Sequence, residues 1–326
     1  MCKIMVITNI KDSTRDKALD FIKEMAPKLS VNNNDGLGYA ALDDSGNLFA
    51  ERWFKNSNAF KKPVSSPFKN LVSFDNIEYN SEGNVNLDKV TAMTLHTRMA
   101  TCEKSLKNTH PFIKDGTSVI HNGVIRNPEV YKPMMSTCDS ESLLNGYLSF
   151  DLANNPKSLE TMVNPLQGYW AVAAFSKVQD SYVLDIFKHN ANLYAVFVDD
   201  LETWVFSTNS NDITMVCDKL GFTYSSAGSV ENNSHIRLNP ISGEVILLDT
   251  YIKNDVVVQP RNSWTDYDYD TSYYTKKYSK EISKGYSTDA CLTYSEHTKH
   301  KEVTKPKVTV LTGKEFTEQV MGIKTK

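Results

Sequence analysis

The chain has 326 residues, 40% hydrophobic and 23% charged, with a net charge of −3. That is enough length for one large domain or two ordinary ones and for a sizeable core, in the balance of a soluble globular protein. Lys and Arg are spread along the chain, which argues against nucleic acid or an anionic membrane as the main partner, and no apolar run reaches the roughly 18–20 residues that span a bilayer. Lys3 is followed by only a short apolar stretch, Ile4 to Ile7, so no signal peptide is expected.

In chain order, residues 2–8 (CKIMVIT) read as a short buried strand. Residues 12–29 have helical periodicity, with Ala18, Leu19, Phe21, Ile22 and Met25 on one face and Asp12 or Ser13 as cap. Residues 32–38 (NNNDGLG) form a turn-rich loop. Residues 39–42 and 48–53, joined by the turn Asp44-Ser45-Gly46-Asn47, make a hairpin pattern. Strands are expected at 92–97 and 118–125 and a helix at 139–152. Successive strands follow at 169–175, 182–187, 193–198 and 203–207. Residues 236–238 and 245–252, joined by Pro240-Ile241-Ser242-Gly243, close the series as a hairpin. Runs of strands with segregated helices predict an α+β layered sandwich; strict β-α-β alternation is missing. From 262 to 301 the chain is rich in Tyr, Ser, Thr, Asp and Lys, which reads as an extended arm or disordered tail. The expected division is a domain over 2–255 and an extension over 256–326.

Five cysteines, Cys2, Cys102, Cys138, Cys217 and Cys291, lie far apart with no C-x-x-C pair. Neither a disulfide framework nor a structural metal site is expected, and reduced cytoplasm is the natural setting. Cys2 is the exception in position. Cells remove Met1 ahead of a small residue, so the mature chain would begin with a thiol and an α-amine on one residue. An amine with an ordinary pKa near ~8 can act as base for its own nucleophile. The other four read as packing or incidental thiols.

Four further segments carry candidate chemistry: NDGLG at 34–38; LHTRMAT at 95–101 with NTHPF at 108–112; IHNGVI at 120–125; and CDSE at 138–141, opening a helix. Each has a plain structural reading. Arg98 alone reads as a surface ion-pair residue. Asn122-Gly123 fits a type I′ hairpin turn. Asp139 fits an N-terminal helix cap. His96 and His110 read as hydrogen-bonded structural residues near a pocket wall.

Taken together and in this order, the segments resemble the glutaminase domain of class II glutamine amidotransferases, the Ntn-type family, over about residues 2–250. The resemblance implies a four-layer αββα sandwich with two stacked, mainly antiparallel sheets. It implies hydrolysis of L-glutamine to glutamate and ammonia through a thioester on Cys2, with Asn122 and Gly123 supplying oxyanion donors. Arg98 matches the family's carboxylate-binding Arg, Asp139 the carboxylate that pairs with the α-ammonium, and Thr101 a pocket-lining Thr. Gly36 and Gly38 match the loop beside the nucleophile. No cofactor is implied. Cys102 and Met99 depart from the family pattern, which puts the neighbouring pocket wall in doubt. After residue 250 about 76 residues remain, with no nucleotide motif. A second catalytic domain of ordinary size does not fit there, so ammonia is expected to pass to a separate acceptor enzyme, with the tail as a docking arm. Two alternatives stand beside this reading: a free-standing Ntn amidase acting on a larger γ-glutamyl-type amide, and a catalytically silent binding or regulatory relative.

Overall fold

Strand β1 (Lys3–Ile7) sets the architecture, because all four of its aliphatic residues, Ile4 to Ile7, are fully buried. Successive side chains of a strand point to opposite faces, so β1 needs a packed layer on each side. Met5 and Ile7 face one core, Ile4 and Val6 another. The computed structural model describes residues 2–33, 35–54, 78–79, 83–84 and 89–253. The expected extension over 256–326 and Cys291 lie outside them.

The strands are β1, β2 (Gly36–Asp43), β3 (Leu48–Phe54), a short pair β4 (Glu78–Tyr79) and β5 (Gly83–Asn84), β6 (Val90–Arg98), β7 (Phe112–Lys114), β8 (Thr117–Ile125), β9 (Gly168–Val178), β10 (Ser181–His189), β11 (Tyr194–Val198), β12 (Thr203–Ser207), β13 (Tyr224–Ser229), β14 (Ser234–Leu238) and β15 (Val245–Thr250). Among the described residues they build a seven-stranded sheet, β13-β11-β12-β1-β6-β2-β3, and a six-stranded sheet, β15-β14-β10-β9-β8-β7. Neighbours within both sheets run antiparallel.

Helices α1 (Arg15–Ser30) and α4 (Ser210–Leu220) cover the outer face of the first sheet, where Phe21, Ile22, Met25 and Ile213 meet Met5, Leu37 and Leu95. Helices α2 (Ser140–Ser149) and α3 (Leu159–Val163) cover the second sheet, laying Leu143, Tyr147 and Met162 over Val119, Trp170 and Val172. Between the sheets Ile4, Val6, Ala40 and Ala92 pack against Ile120, Ala171, Ala173 and Ile186. The order is helix, sheet, sheet, helix: the four-layer α+β sandwich expected from the sequence.

A buried polar cluster fastens α2 to its sheet. The carboxylate of Asp185 on β10 accepts from His235 Nε2 at 2.7 Å, from Arg237 Nε at 2.8 Å and Nη2 at 2.7 Å, and from the Tyr147 hydroxyl. Arg237 also donates to the carbonyls of Leu152 and Ala153, in the turn that follows α2. Burial would push the Asp185 carboxyl up, but the His235 and Arg237 bonds overcome it and hold the group down at about 2.

Several elements differ from expectation. Strand β2 begins at Gly36, not Tyr39, because the glycine-rich segment pairs with the end of β6, Gly36 opposite Arg98 and Gly38 opposite His96. A Cβ on Gly38 would lie 2.0 Å from the His110 carbonyl oxygen, so the composition that reads as a turn serves a close backbone approach. Helix α1 begins at Arg15 after a 3-10 turn, Asp12–Thr14, with no side-chain cap bond. Helices α3 and α4 and strands β7 and β13 were not expected. Among the described residues no helix is long and apolar enough to cross a membrane.

Candidate active site around Cys2

Cys2 leads directly into β1, whose register sets Lys3 opposite Thr97 on β6. The residue before β1 therefore meets the end of β6, and the Cys2 thiol donates to the Met99 carbonyl at 3.5 Å. Burial pushes this thiol above its ordinary value; the Arg98 charge opposes the shift and the Asp139 charge adds to it.

Cys2 lines a cavity of about 600 Å³ together with Asn122 on β8, Met99 and Tyr169. The rest of the wall mixes the amides Asn32, Asn33, Asn190, Asn192 and Asn209 with Val31, Ala191, Thr208 and Lys3. Lys3 is neutralised by Asp212 at 2.7 Å. Asn122 is buried, and its Oδ1 has no hydrogen-bond partner.

Asn122 and Gly123 lie inside β8, opposite Ala171 and Trp170 of β9, and form no hairpin turn. Gly123 has φ +153°, and a Cβ there would stand 2.1 Å from the Tyr169 carbonyl oxygen. Only glycine lets the two strands meet at this point.

Arg98 ends β6 and is 2% exposed, which rules out a surface ion pair. Its Nη2 donates to the carbonyl oxygens of Glu103 at 2.9 Å and Cys102 at 3.3 Å, and lies 3.1 Å from the Cys102 sulfur. Its Nη1 is buried without a partner. Asp35 braces the same bend: its amide donates to the Arg98 carbonyl at 2.9 Å, and its carboxylate accepts from Ala100 N at 3.0 Å and pairs with Lys104 at 2.7 Å. Asp139 occupies the N-cap position of α2 but makes no side-chain cap bond; its Oδ2 accepts from Ile125 N at 2.6 Å, tying α2 to the end of β8. Thr101 is exposed, and neither it, Arg98 nor Asp139 lines the cavity.

Behind Asn122 three histidines are buried together. The His96 and His110 rings lie 3.8 Å apart, and His110 and His121 6.5 Å apart. His96 Nε2 meets the His121 carbonyl at 3.1 Å, and His121 Nδ1 meets Ser140 Oγ at 2.8 Å. Both ring nitrogens of His110 are buried without partners, unlike the hydrogen-bonded residue expected. Burial drives all three down, His96 to about 3, with mutual repulsion adding to the fall for His96 and His110. They are held neutral, and none of the three lines the cavity.

One feature escaped the sequence reading: the asparagines of the cavity wall, which come from separate turns. Among the described residues no group of three or more His, Cys, Asp or Glu side chains is placed to hold a metal.

No family model matches the chain, and no curated protein matches it. Its fold is similar to two solved structures: a glutamine phosphoribosylpyrophosphate (PRPP) amidotransferase from B. subtilis complexed with ADP and GMP, and the allosteric regulatory enzyme of purine biosynthesis. Each comparison has a TM-score of 0.53 at 15% identity, over 78% of this chain and 50% of the other. The chain thus spans about half the length of the structures it matches. The likeness establishes the fold, an Ntn-hydrolase-like sandwich of two stacked antiparallel sheets between helices.

Proposed function

We propose that this chain hydrolyses the side-chain amide of L-glutamine through Cys2, releasing glutamate and ammonia. The observation that carries the reading is that Cys2 and Asn122 line one cavity.

With its pKa raised by burial, the thiol is protonated at rest and needs a base. Removal of Met1 supplies one, the α-amine of Cys2 itself. The amine takes the thiol proton, and the sulfur attacks the carboxamide carbon. The oxygen that becomes negative is held by the Asn122 side-chain N–H and the Gly123 backbone N–H. The protonated amine returns its proton to the leaving nitrogen, the C–N bond breaks and ammonia departs. Water, deprotonated by the same amine, attacks the thioester, and the C–S bond breaks to release glutamate. This reading assigns Arg98 to the substrate's α-carboxylate and Asp139 to its α-ammonium, although neither lines the cavity in this structure, where Arg98 Nη1 is buried. Thr101 belongs to the segment that lies over the bound amino acid. Ammonia passes to a separate acceptor enzyme. The test is glutamine-dependent ammonia release. Activity is expected to be low alone, raised by the acceptor partner and absent in Cys2→Ala. Activity that survives this substitution would refute the assignment.

A second reading is favoured by the cavity itself. Its volume of about 600 Å³ suits a leaving group larger than ammonia. In that case the enzyme cleaves a γ-glutamyl amide with a larger, uncharged leaving group. Cleavage of γ-glutamyl conjugates without turnover of free glutamine would select it.

A further inference from the structure

The cavity at Cys2, about 600 Å³, is larger than the carboxamide of glutamine needs. Side chains alternate along a strand. Cys2 therefore points the same way as Ile4 and Val6, and Asn122, paired with Ala171, the same way as Ile120, into the layer between the sheets. Tyr169 packs on that layer and Ala191 belongs to it, while Met99 and Asn192 stand exposed at the mouth. Arg98 and Asp139 line no part of the cavity. A glutamyl group held by them on the Cys2 sulfur leaves this space open beside its thioester.

Two observations say what the space accepts. Asn122 is 4% exposed and its Oδ1 has no partner, and a buried amide oxygen calls for a donor. The Asn122 N–H is assigned to the oxyanion, so its oxygen is left for the N–H of a second reactant at the thioester. Among the described residues no Asp or Glu lines the cavity, and its one charged residue, Lys3, has its ammonium 2.7 Å from the Asp212 carboxylate. Such a wall offers an ammonium ion no counter-charge and admits an amine in its neutral, nucleophilic form. An α-amine, with an ordinary pKa near ~8, supplies that form near neutral pH; a lysine-type amine, near ~10, does not. Asparagine is the commonest lining residue, and its side chain can both donate to and accept from another amide.

We propose that Cys2 also transfers the γ-glutamyl group to small, otherwise uncharged α-amino amides bound in this cavity. The activity rests on the glutamine reading above, which supplies the thioester. The acceptor nitrogen attacks the thioester carbon; the C–N bond forms and the C–S bond breaks. The α-amine of Cys2 takes the proton that the nitrogen loses and returns it to the departing sulfur. The products are a γ-glutamyl amide and the free thiol, with no change in oxidation state. Water and the acceptor compete for one intermediate.

The test incubates untagged full-length protein with L-glutamine and glycinamide at pH 8 and quantifies glutamate and γ-glutamylglycinamide by mass spectrometry. Both products come from one thioester, so their ratio does not depend on the fraction of active protein. The ratio of adduct to glutamate should rise with glycinamide and level off, as for a bound acceptor. 1,4-Diaminobutane, whose amines stay charged, should give less than about a tenth as much adduct. Asn192→Asp, at the exposed mouth, places a carboxylate in the wall. It should narrow this discrimination about threefold, the scale of an exposed ion pair. Glutamate as the sole product would overturn the proposal, as would a ratio that climbs linearly without levelling, or a discrimination unchanged in Asn192→Asp. Failure of the glutamine reading looks different: glutamine is not consumed at all, and transfer falls with it, whereas glutamate without adduct refutes transfer alone.

Discussion

Asn122 and Gly123 occupy consecutive positions of one strand, yet their demands differ. Gly123 is fixed by space, since any Cβ would strike the Tyr169 carbonyl. Asn122 is fixed by its side chain, which lines the cavity and leaves its Oδ1 without a partner. An Asn122→Ala protein should therefore fold normally and lose about 10²–10³-fold in kcat, the usual effect of deleting one oxyanion donor. Circular dichroism with steady-state ammonia release checks both halves, and an unchanged kcat would remove Asn122 from the chemistry. At the same scale, His96 titrates at about 3 when folded, against 6.5 when exposed. Between those values the unfolded chain binds a proton that the folded chain does not. Stability is therefore intact above pH 6.5 and falls as the pH drops below it. From His96 alone the loss between pH 6.5 and pH 5 is about 2 kcal/mol. Urea unfolding at pH 7 and pH 5 measures it, and equal stabilities would contradict neutral burial of the cluster.

At the scale of elements, β2 ties the nucleophile's sheet to the loop before β7. Gly38→Ala sets a methyl group against the backbone oxygen of His110, which cannot swing aside like a flexible side chain. The expected loss of stability exceeds about 3 kcal/mol, read from the denaturation midpoint; a loss under about 1 kcal/mol would show that the loop yields. This strand also marks where sequence patterns stop being informative. Residues 39–42 announce a strand by composition, whereas Gly36 and Gly38 announce a turn, because a glycine chosen for close approach carries the same letter as one chosen for a bend. Helix α4 was legible in principle. Asn209 caps it by accepting from Asn211 N, and Gly221 ends it at φ +70°, but Asn and Asp near its start and a short apolar stripe hide its period. Strand β13 (YSSAGS) is an edge strand with polar side chains, and its pairing with β11 comes from tertiary context alone. Of the site, the ordered motifs point to Cys2, Arg98, Asn122, Gly123 and Asp139 as a set. The cavity wall depends on segments distant in sequence, and no local pattern announces it.

At the scale of the whole molecule, two sheets share one alanine-lined interface, and each has its own helical cover. The second cover is bolted by Asp185. Asp185→Ala leaves the Arg237 guanidinium buried without its carboxylate, 7% exposed at the side chain. Removing one partner of such a pair costs about 3–5 kcal/mol, measurable by urea unfolding. A cost below about 1 kcal/mol would mean that the cluster is not a fastener. The same architecture sets Cys2 at the end of the central strand of one sheet and Asn122 on the other, so the proposed nucleophile and the proposed oxyanion donor share a cavity only when the sandwich is assembled. The most direct measurement is the intact mass of untagged protein before and after exposure to 6-diazo-5-oxo-norleucine, followed by peptide mapping. The account predicts a chain lacking Met1 that gains one adduct, carried by Cys2. A chain that retains Met1, or that loses Met1 and gains no adduct at Cys2, would contradict it.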